Sequence, residues 1–115
     1  MKDYLLLFRG GEGRFNFSPE EMQAHMQRWM EWMSELGKQG KFFGAQPLVN
    51  TGKVVSGTKK VISDGPFMEG KEMLGGYLIC KADTYDEAAE IAKNCPILEF
   101  EEGTVEVRQI GELKM

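Results

Sequence analysis

The sequence predicts an α+β domain: a split βαβ sheet with both helices on one face, plus one added strand. Two segments begin with helix-capping residues and continue with apolar side chains at helical spacing. Shorter segments of strand character surround them, in the order strand, helix, strand, strand, strand, helix, strand. Two crossings of the βαβ type in 115 residues leave room for one sheet, so a single domain over residues 1–115 is expected.

The first strand and the first helix have the clearest signals. Residues 4–8 are a continuous apolar run, typical of a strand that is buried on both faces. The motif Ser18-Pro19-Glu20-Glu21 joins an N-cap, a proline at the first helical position and a glutamate three residues after the cap. The helix that begins there carries an apolar stripe that we expect to face the sheet: Met22, Met26, Trp29, Met33 and Leu36.

The middle of the chain contains three strand signals. Residues 42–49 predict a strand with a bulge or an edge at Gly44 and Pro47, because proline donates no hydrogen bond to a central ladder. Residues 54–63 alternate weakly and include two lysines, which predicts one partly exposed or edge strand, the added one. Residues 76–80 predict a buried strand, in which Gly75 and Gly76 allow a close approach of a neighbour.

The last third of the chain predicts a helix followed by a strand. Thr84 and Glu87 have the spacing of a capping box, and small side chains follow at helical spacing. Pro96 ends this helix because it cannot supply a helical donor. Residues 104–110 alternate sharply and predict the last strand, with an apolar face formed by Val105 and Val107.

Composition excludes several classes of function. A net charge of −4 and a pI near 5.1 argue against a nucleic-acid partner, which selects basic surfaces. The sequence lacks both the roughly 20 apolar residues of a membrane helix and a recognisable secretion signal, so we expect no membrane partner and a cytoplasmic location. Two cysteines without metal or redox spacing and a single histidine predict no metal site and no cofactor.

The predicted topology leaves one face of the sheet open, since both helices lie on the other. An open face that is not uniformly polar usually becomes covered, most often by a second copy of the same chain. We therefore expect a homodimer.

A motif in the second half of the chain resembles a known signature. It reads Asp64-Gly65-Pro66-Phe67, continues with Glu69, Lys71 and Glu72, and ends in Leu74-Gly75-Gly76-Tyr77. This pattern resembles the DGPF family of the YCII-related superfamily, and the resemblance extends over nearly the whole chain. It implies a ferredoxin-like α+β domain that pairs with a second copy through its open sheet face, the dimeric α/β-barrel arrangement.

The resemblance also has functional implications. Members of the superfamily are thought to bind a small molecule in a polar cleft, and one branch includes enzymes that act on chlorinated ring-cleavage products. That branch uses a histidine and an aspartate, the latter just before a proline after the second helix. Here the corresponding stretch is Asn94-Cys95-Pro96, so the acidic partner is missing, although His25 lies in the first helix as required.

Two residues are candidates for catalytic proton transfer, and each has a structural alternative. Asp64, beside Gly65 and Pro66, can shape a turn, or it can present a carboxylate at the mouth of a cleft. His25 lies with Trp29 on one flank of the first helix, where it can be a packed side chain or an acid or base near neutral pH.

Four residues are candidates for ligand binding. Lys71 either forms exposed ion pairs with neighbouring glutamates or meets an anionic ligand from a loop over the cleft. Glu106 and Arg108 share one face of the last strand, either as an ion pair or as a polar lining in which Arg108 binds a carboxylate. Phe67 joins the same lining through the motif.

Together these observations predict a cytoplasmic homodimer whose facing sheets enclose a cleft for a small organic acid. Asp64, Phe67, Lys71 and Arg108 line this cleft in the prediction, and Asp64 or His25 would supply acid–base chemistry without a cofactor if the protein is an enzyme. The alternative is a non-catalytic regulatory or protein-binding module, for example a partner in transcription control linked to sigma factors, since DGPF members are often encoded beside these. In a third interpretation the motif is only a folding turn.

Overall fold

The computed structural model describes residues 1–66 and 73–113. Within them the chain forms six strands and two α-helices, and short 3₁₀ helices occupy Glu12–Asn16 and Pro96–Glu99. In chain order the strands and α-helices are β1 (Lys2–Arg9), α1 (Pro19–Lys38), β2 (Phe42–Pro47), β3 (Gly52–Ser56), β4 (Val61–Gly65), β5 (Leu74–Ala82), α2 (Tyr85–Ala92) and β6 (Thr104–Gln109).

The main sheet has four antiparallel strands in the order β2-β5-β1-β6. Each half of the chain contributes a strand, a helix and a strand, and the two halves interleave in this order. The fold is therefore α+β and ferredoxin-like, and the predicted split βαβ sheet is confirmed. None of the helices in the described part of the chain is long and apolar enough to cross a membrane.

The added strand is the one element that the sequence predicted wrongly. Residues 54–63 do not form a single strand on the main sheet, because they belong to a separate two-stranded hairpin of β3 and β4. The chain reverses at Gly57 and Lys60, which have positive φ angles of 72° and 56°. A lysine is an uncommon residue in this conformation, so Gly57 is the only sequence signal for the turn.

Helix α1 begins as predicted, and three residues of its predicted stripe, Trp29, Met33 and Leu36, pack in or against the core. The Ser18 hydroxyl accepts a hydrogen bond from the Glu21 amide at 3.1 Å, and the Glu21 carboxylate accepts one from the Ser18 amide at 3.0 Å. The side chains buried along α1 are His25, Trp32 and Leu36. Met26 of the predicted stripe is 50% exposed, whereas Trp32, which lies outside the stripe, is buried.

The core lies between the helices and one face of the sheet. Along β1, Tyr4, Leu6 and Phe8 are buried against the helices, whereas Leu5 and Leu7 point to the opposite face and are half-buried. The prediction that β1 is buried on both faces therefore holds for one face of the single chain. Strand β5 repeats the alternation with four buried residues, Gly76, Leu78, Cys80 and Ala82.

Candidate ligand-binding site

A cavity of about 600 Å³ opens between α1 and the adjacent end of the sheet. Its α1 wall is formed by His25, Met26, Trp29 and Met33, and Phe8 contributes from the end of β1. Residues 48–50, which lead from β2 into the hairpin, line the mouth. The lining is mainly apolar, which is typical of a site that takes a small organic ligand.

Gly76 allows the strands beside this cavity to approach closely. A Cβ atom at Gly76 would lie 3.0 Å from the Gln46 carbonyl oxygen and 3.3 Å from Pro47 Cα. The close approach predicted for this glycine pair is thus confirmed at Gly76. Any larger residue there would push β2 outward and change the shape of the cavity.

His25 is held in the α1 wall by aromatic side chains. It is 2% exposed and contacts Phe17 and Phe100 edge-on, at ring-centre distances of 5.6 and 5.2 Å. The indole Nε1 of Trp29 donates a hydrogen bond to His25 Nε2 at 2.9 Å. Because Nε2 is the acceptor, the proton of the neutral ring is assigned to Nδ1.

The Nδ1 atom of His25 is buried, and no hydrogen-bond partner reaches it among the described residues. The nearest acid is Glu99, whose Oε2 lies 3.8 Å away. Arg28 Nε lies 2.6 Å from Glu99 Oε1 and 2.9 Å from Oε2, so this carboxylate is already paired. Burial lowers the pKa of His25, and the nearby Glu99 charge opposes that shift only in part. His25 is therefore neutral at pH 7.

Sequence reasoning missed Glu99 because it looked for an acid before Pro96. The 3₁₀ helix that begins at Pro96 carries the chain back toward α1 and places Glu99 beside His25. A proline at the start of a short helical turn, with an acid three residues later, is the signal that could have found it.

The rim of the cavity contains one cation and one anion among its described residues. Arg14 Nη1 donates to the Gly11 carbonyl at 2.8 Å, and its guanidinium lies 4.6 Å from the centre of the Phe15 ring. Glu12 accepts a hydrogen bond from the Met73 amide at 3.3 Å, which ties the first 3₁₀ helix to the start of β5. Arg14 and Glu12 are thus charged side chains among the described residues that line the cavity.

Comparison with protein families shows the family to which this chain belongs. The profile of the YCII-related domain matches residues 3–114. This chain belongs to the YCII-related domain family. A search of curated proteins gave no match.

Among solved structures, the YCII-related chain is similar to 5-chloro-2-hydroxyhydroquinone dehydrochlorinase (TftG) from Burkholderia phenoliruptrix AC1100. The two chains are 16% identical, with coverage of 95% of this chain and 93% of the other and a TM-score of 0.50. That structure is a complex with 2,5-dihydroxybenzoquinone. At this level of identity the likeness supports the ferredoxin-like fold of the YCII-related chain.

The structure places the predicted catalytic residues of this YCII-related chain in different surroundings. His25 lines the cavity, whereas Asp64 lies on β4, outside the lining. The Asp64 side chain is 91% exposed and pairs with Lys53 Nζ at 2.6 Å. The single chain thus does not bring the two candidates for proton transfer to one cavity.

The predicted ligand-binding residues lie apart from the cavity or outside the described residues. Glu106 and Arg108 occupy the open face of the sheet, opposite the helices. Glu106 accepts hydrogen bonds from Arg9 at 2.8 Å and from Arg108 at 3.4 Å, and the Arg9 bond is the main reason that its pKa is lowered. Phe67 and Lys71 lie outside the described residues. Their binding roles stay predictions.

Both cysteines of the YCII-related chain are free and buried. Burial raises the pKa of Cys80 to about 11 and that of Cys95 to about 12. Both are therefore thiols at neutral pH, and neither has the character of a nucleophile.

Proposed function

We propose that this YCII-related protein is a cytoplasmic homodimer of the DGPF branch that binds a small organic acid in the cavity beside α1. The observation that carries the proposal is the cavity itself: about 600 Å³ of mainly apolar space with Arg14 at its rim. Pockets of roughly 300–1,000 Å³ suit ligands of metabolite size.

The lining defines the chemistry of the ligand. Trp29, Phe8 and Phe15 offer aromatic surface to an apolar or planar body, which dispersion and burial stabilise. Arg14 offers a planar guanidinium that can meet a carboxylate or an enolate oxygen. A ring of the size of a substituted benzoquinone, the ligand of the similar dehydrochlorinase complex, is a suitable occupant.

The homodimer is proposed from the open face of the sheet. Leu5, Leu7, Tyr77 and Ile79 are half-buried at its centre, and the Glu106–Arg108 pair lies at one side. Pairing two such faces would remove the apolar centre from water and would bring Glu106 and Arg108 toward an inter-sheet cleft. The DGPF assignment rests on the Asp64-Gly65-Pro66-Phe67 motif.

Acid–base chemistry without a cofactor is the second candidate function. It is favoured by His25, which lines the cavity and whose Nδ1 atom lies 3.8 Å from Glu99 Oε2 without a hydrogen-bond partner among the described residues. Nε2 could receive a proton from a ligand if it gave up the hydrogen bond from Trp29, and the Nδ1–H of the resulting imidazolium would face the Glu99 carboxylate. A bell-shaped dependence of the catalytic rate on pH, with one limb lost in His25→Gln, would support acid–base catalysis by His25. A rate that does not change with pH would contradict that role.

The test is a thermal-shift screen of small carboxylic acids and hydroxylated ring compounds. Wild type, Arg14→Gln and Arg108→Gln are compared, because the two arginines report on the cavity and on the open face respectively. The proposal expects a stabilising ligand whose effect is lost in Arg14→Gln and kept in Arg108→Gln. The reverse pattern would place the site in an inter-sheet cleft. If no compound stabilises any variant, a protein-binding module becomes the better description.

A further inference from the structure

The β3–β4 hairpin, residues 52–65, is here called the arm. Its two strands pair with each other and do not join the four-stranded sheet. Within the described residues, none of the helices or the other strands packs closely against it. The arm therefore stands away from the body of its own chain.

Apolar side chains occupy both faces of the arm. Val55 and Ile62 are opposite each other on one face and are 63% and 65% exposed. Val61 is 58% exposed on the other face, which it shares with Val54. An isolated two-stranded hairpin is marginally stable in water, so the arm requires a surface to cover it.

The dimensions of the chain also indicate that the arm projects from its body. It measures 47 × 45 × 19 Å, with a radius of gyration of 15.8 Å. A compact domain of this length has a radius of gyration of about 13 Å. The chain is thus more extended than a self-sufficient domain, as expected of a subunit with a projecting arm.

The charge of the arm indicates the kind of surface it fits. Lys53, Lys59 and Lys60 against Asp64 give the arm a net charge of +2 in a chain of net charge −4. The remaining residues therefore carry −6, so the rest of a second copy is opposite to the arm in net charge. On the Val55 face the only charges are Lys53 and Asp64, which neutralise each other at 2.6 Å.

We propose that the arm is an intersubunit arm that packs against a second copy of this chain, with Val55 and Ile62 facing the partner. This inference rests on the homodimer in the proposed function. A two-fold axis would make the exchange reciprocal, so the interface gains two arms in addition to the open sheet faces.

The arm links the dimer to the candidate site. Residues 48–50 and Met73, which flank the arm in sequence, line the mouth of the cavity. An arm that is fixed on the partner holds this wall in place.

The decisive experiment is an isotope-filtered NOE measurement on a sample that mixes ¹³C-labelled with unlabelled protein. The proposal expects intermolecular NOEs from the methyl groups of Val55 and Ile62. A dimer in which these methyls show none would overturn the arm and leave the homodimer standing. A monomer would overturn both.

A variant pair tests the energetic contribution of the arm. Val55→Ser with Ile62→Ser removes the apolar face, and we expect it to raise the dimer dissociation constant at least about tenfold in analytical ultracentrifugation. Met30→Ser is the matched control, since Met30 is 61% exposed on α1 and lies outside the cavity lining. Equal dissociation constants in the double variant and the control would contradict the proposal.

Discussion

At the scale of single residues, His25 is defined by its two ring nitrogens. Nε2 accepts a hydrogen bond from the Trp29 indole at 2.9 Å. Nδ1 is buried 3.8 Å from Glu99, and no hydrogen-bond partner reaches it within residues 1–66 and 73–113. Protonation would turn Nε2 into a donor and break the bond to Trp29, which also lines the cavity. The charge of His25 is thus coupled to the wall of the candidate site.

This coupling predicts a loss of stability in mild acid. Burial lowers the pKa of folded His25, whereas the unfolded side chain titrates near about 6.5, so the unfolded chain binds more protons below that pH. The free energy of unfolding is therefore expected to fall between about pH 7 and pH 5.5. Urea unfolding at the two pH values checks this, with His25→Gln as the control.

The control isolates the effect because His25 is the only histidine, and the glutamine amide can still accept the Trp29 proton. We expect His25→Gln to lose most of the pH dependence in this window. An equal fall in both proteins would show that other groups cause it.

The sequence predicted that His25 and Trp29 share a flank of α1, but not which charged residues lie beside them. The spacing of Trp29 from His25 placed both on one flank of α1, and the structure shows that this flank faces inward. Glu99 and Arg14 were missed because both reach the site from short 3₁₀ helices, which have no apolar period to locate them. Their positions depend on tertiary packing.

At the scale of elements, the caps of the helices are local signals and were predictable. Ser18 and Glu21 form a complete capping box. Ser18→Ala is expected to lower the free energy of unfolding by about 1 kcal/mol, since the Glu21 amide loses its acceptor. Chemical denaturation measures this against Ser34→Ala, an exposed serine inside α1, which should stay within about 0.5 kcal/mol of wild type. Equal losses in both variants would contradict a capping role.

The β3–β4 hairpin could not be predicted from the local sequence pattern. The apolar runs of β1 and β5 and the alternation of β6 were sufficient to predict strands, because one face of each packs against the core. No residue of β3 or β4 is buried or belongs to the core cluster, so burial imposes no such pattern on them. The pattern of 54–63 therefore could not reveal the turn between Ser56 and Val61.

At the scale of the whole molecule, the open sheet face is the surface on which the homodimer depends. Ile79 is half-buried at its centre, opposite Leu5 of β1. Ile79→Lys is expected to yield monomers in analytical ultracentrifugation, because each lysine would lie in an apolar interface. Ala89→Lys, at an exposed position of α2, is the control and should leave the assembly unchanged. A dimer that persists in Ile79→Lys would show that the copies meet through another surface.

The central claim is that the cavity beside α1 binds a small organic acid, and methionine methyl NMR tests it most directly. Met26, Met33 and Met73 line the cavity, whereas Met1 and Met30 do not. With ¹³C-methyl methionine and the best compound from the thermal-shift screen, we predict that the three cavity signals shift and the signals of Met1 and Met30 stay in place. Saturable binding with the cavity signals unmoved would contradict the claim.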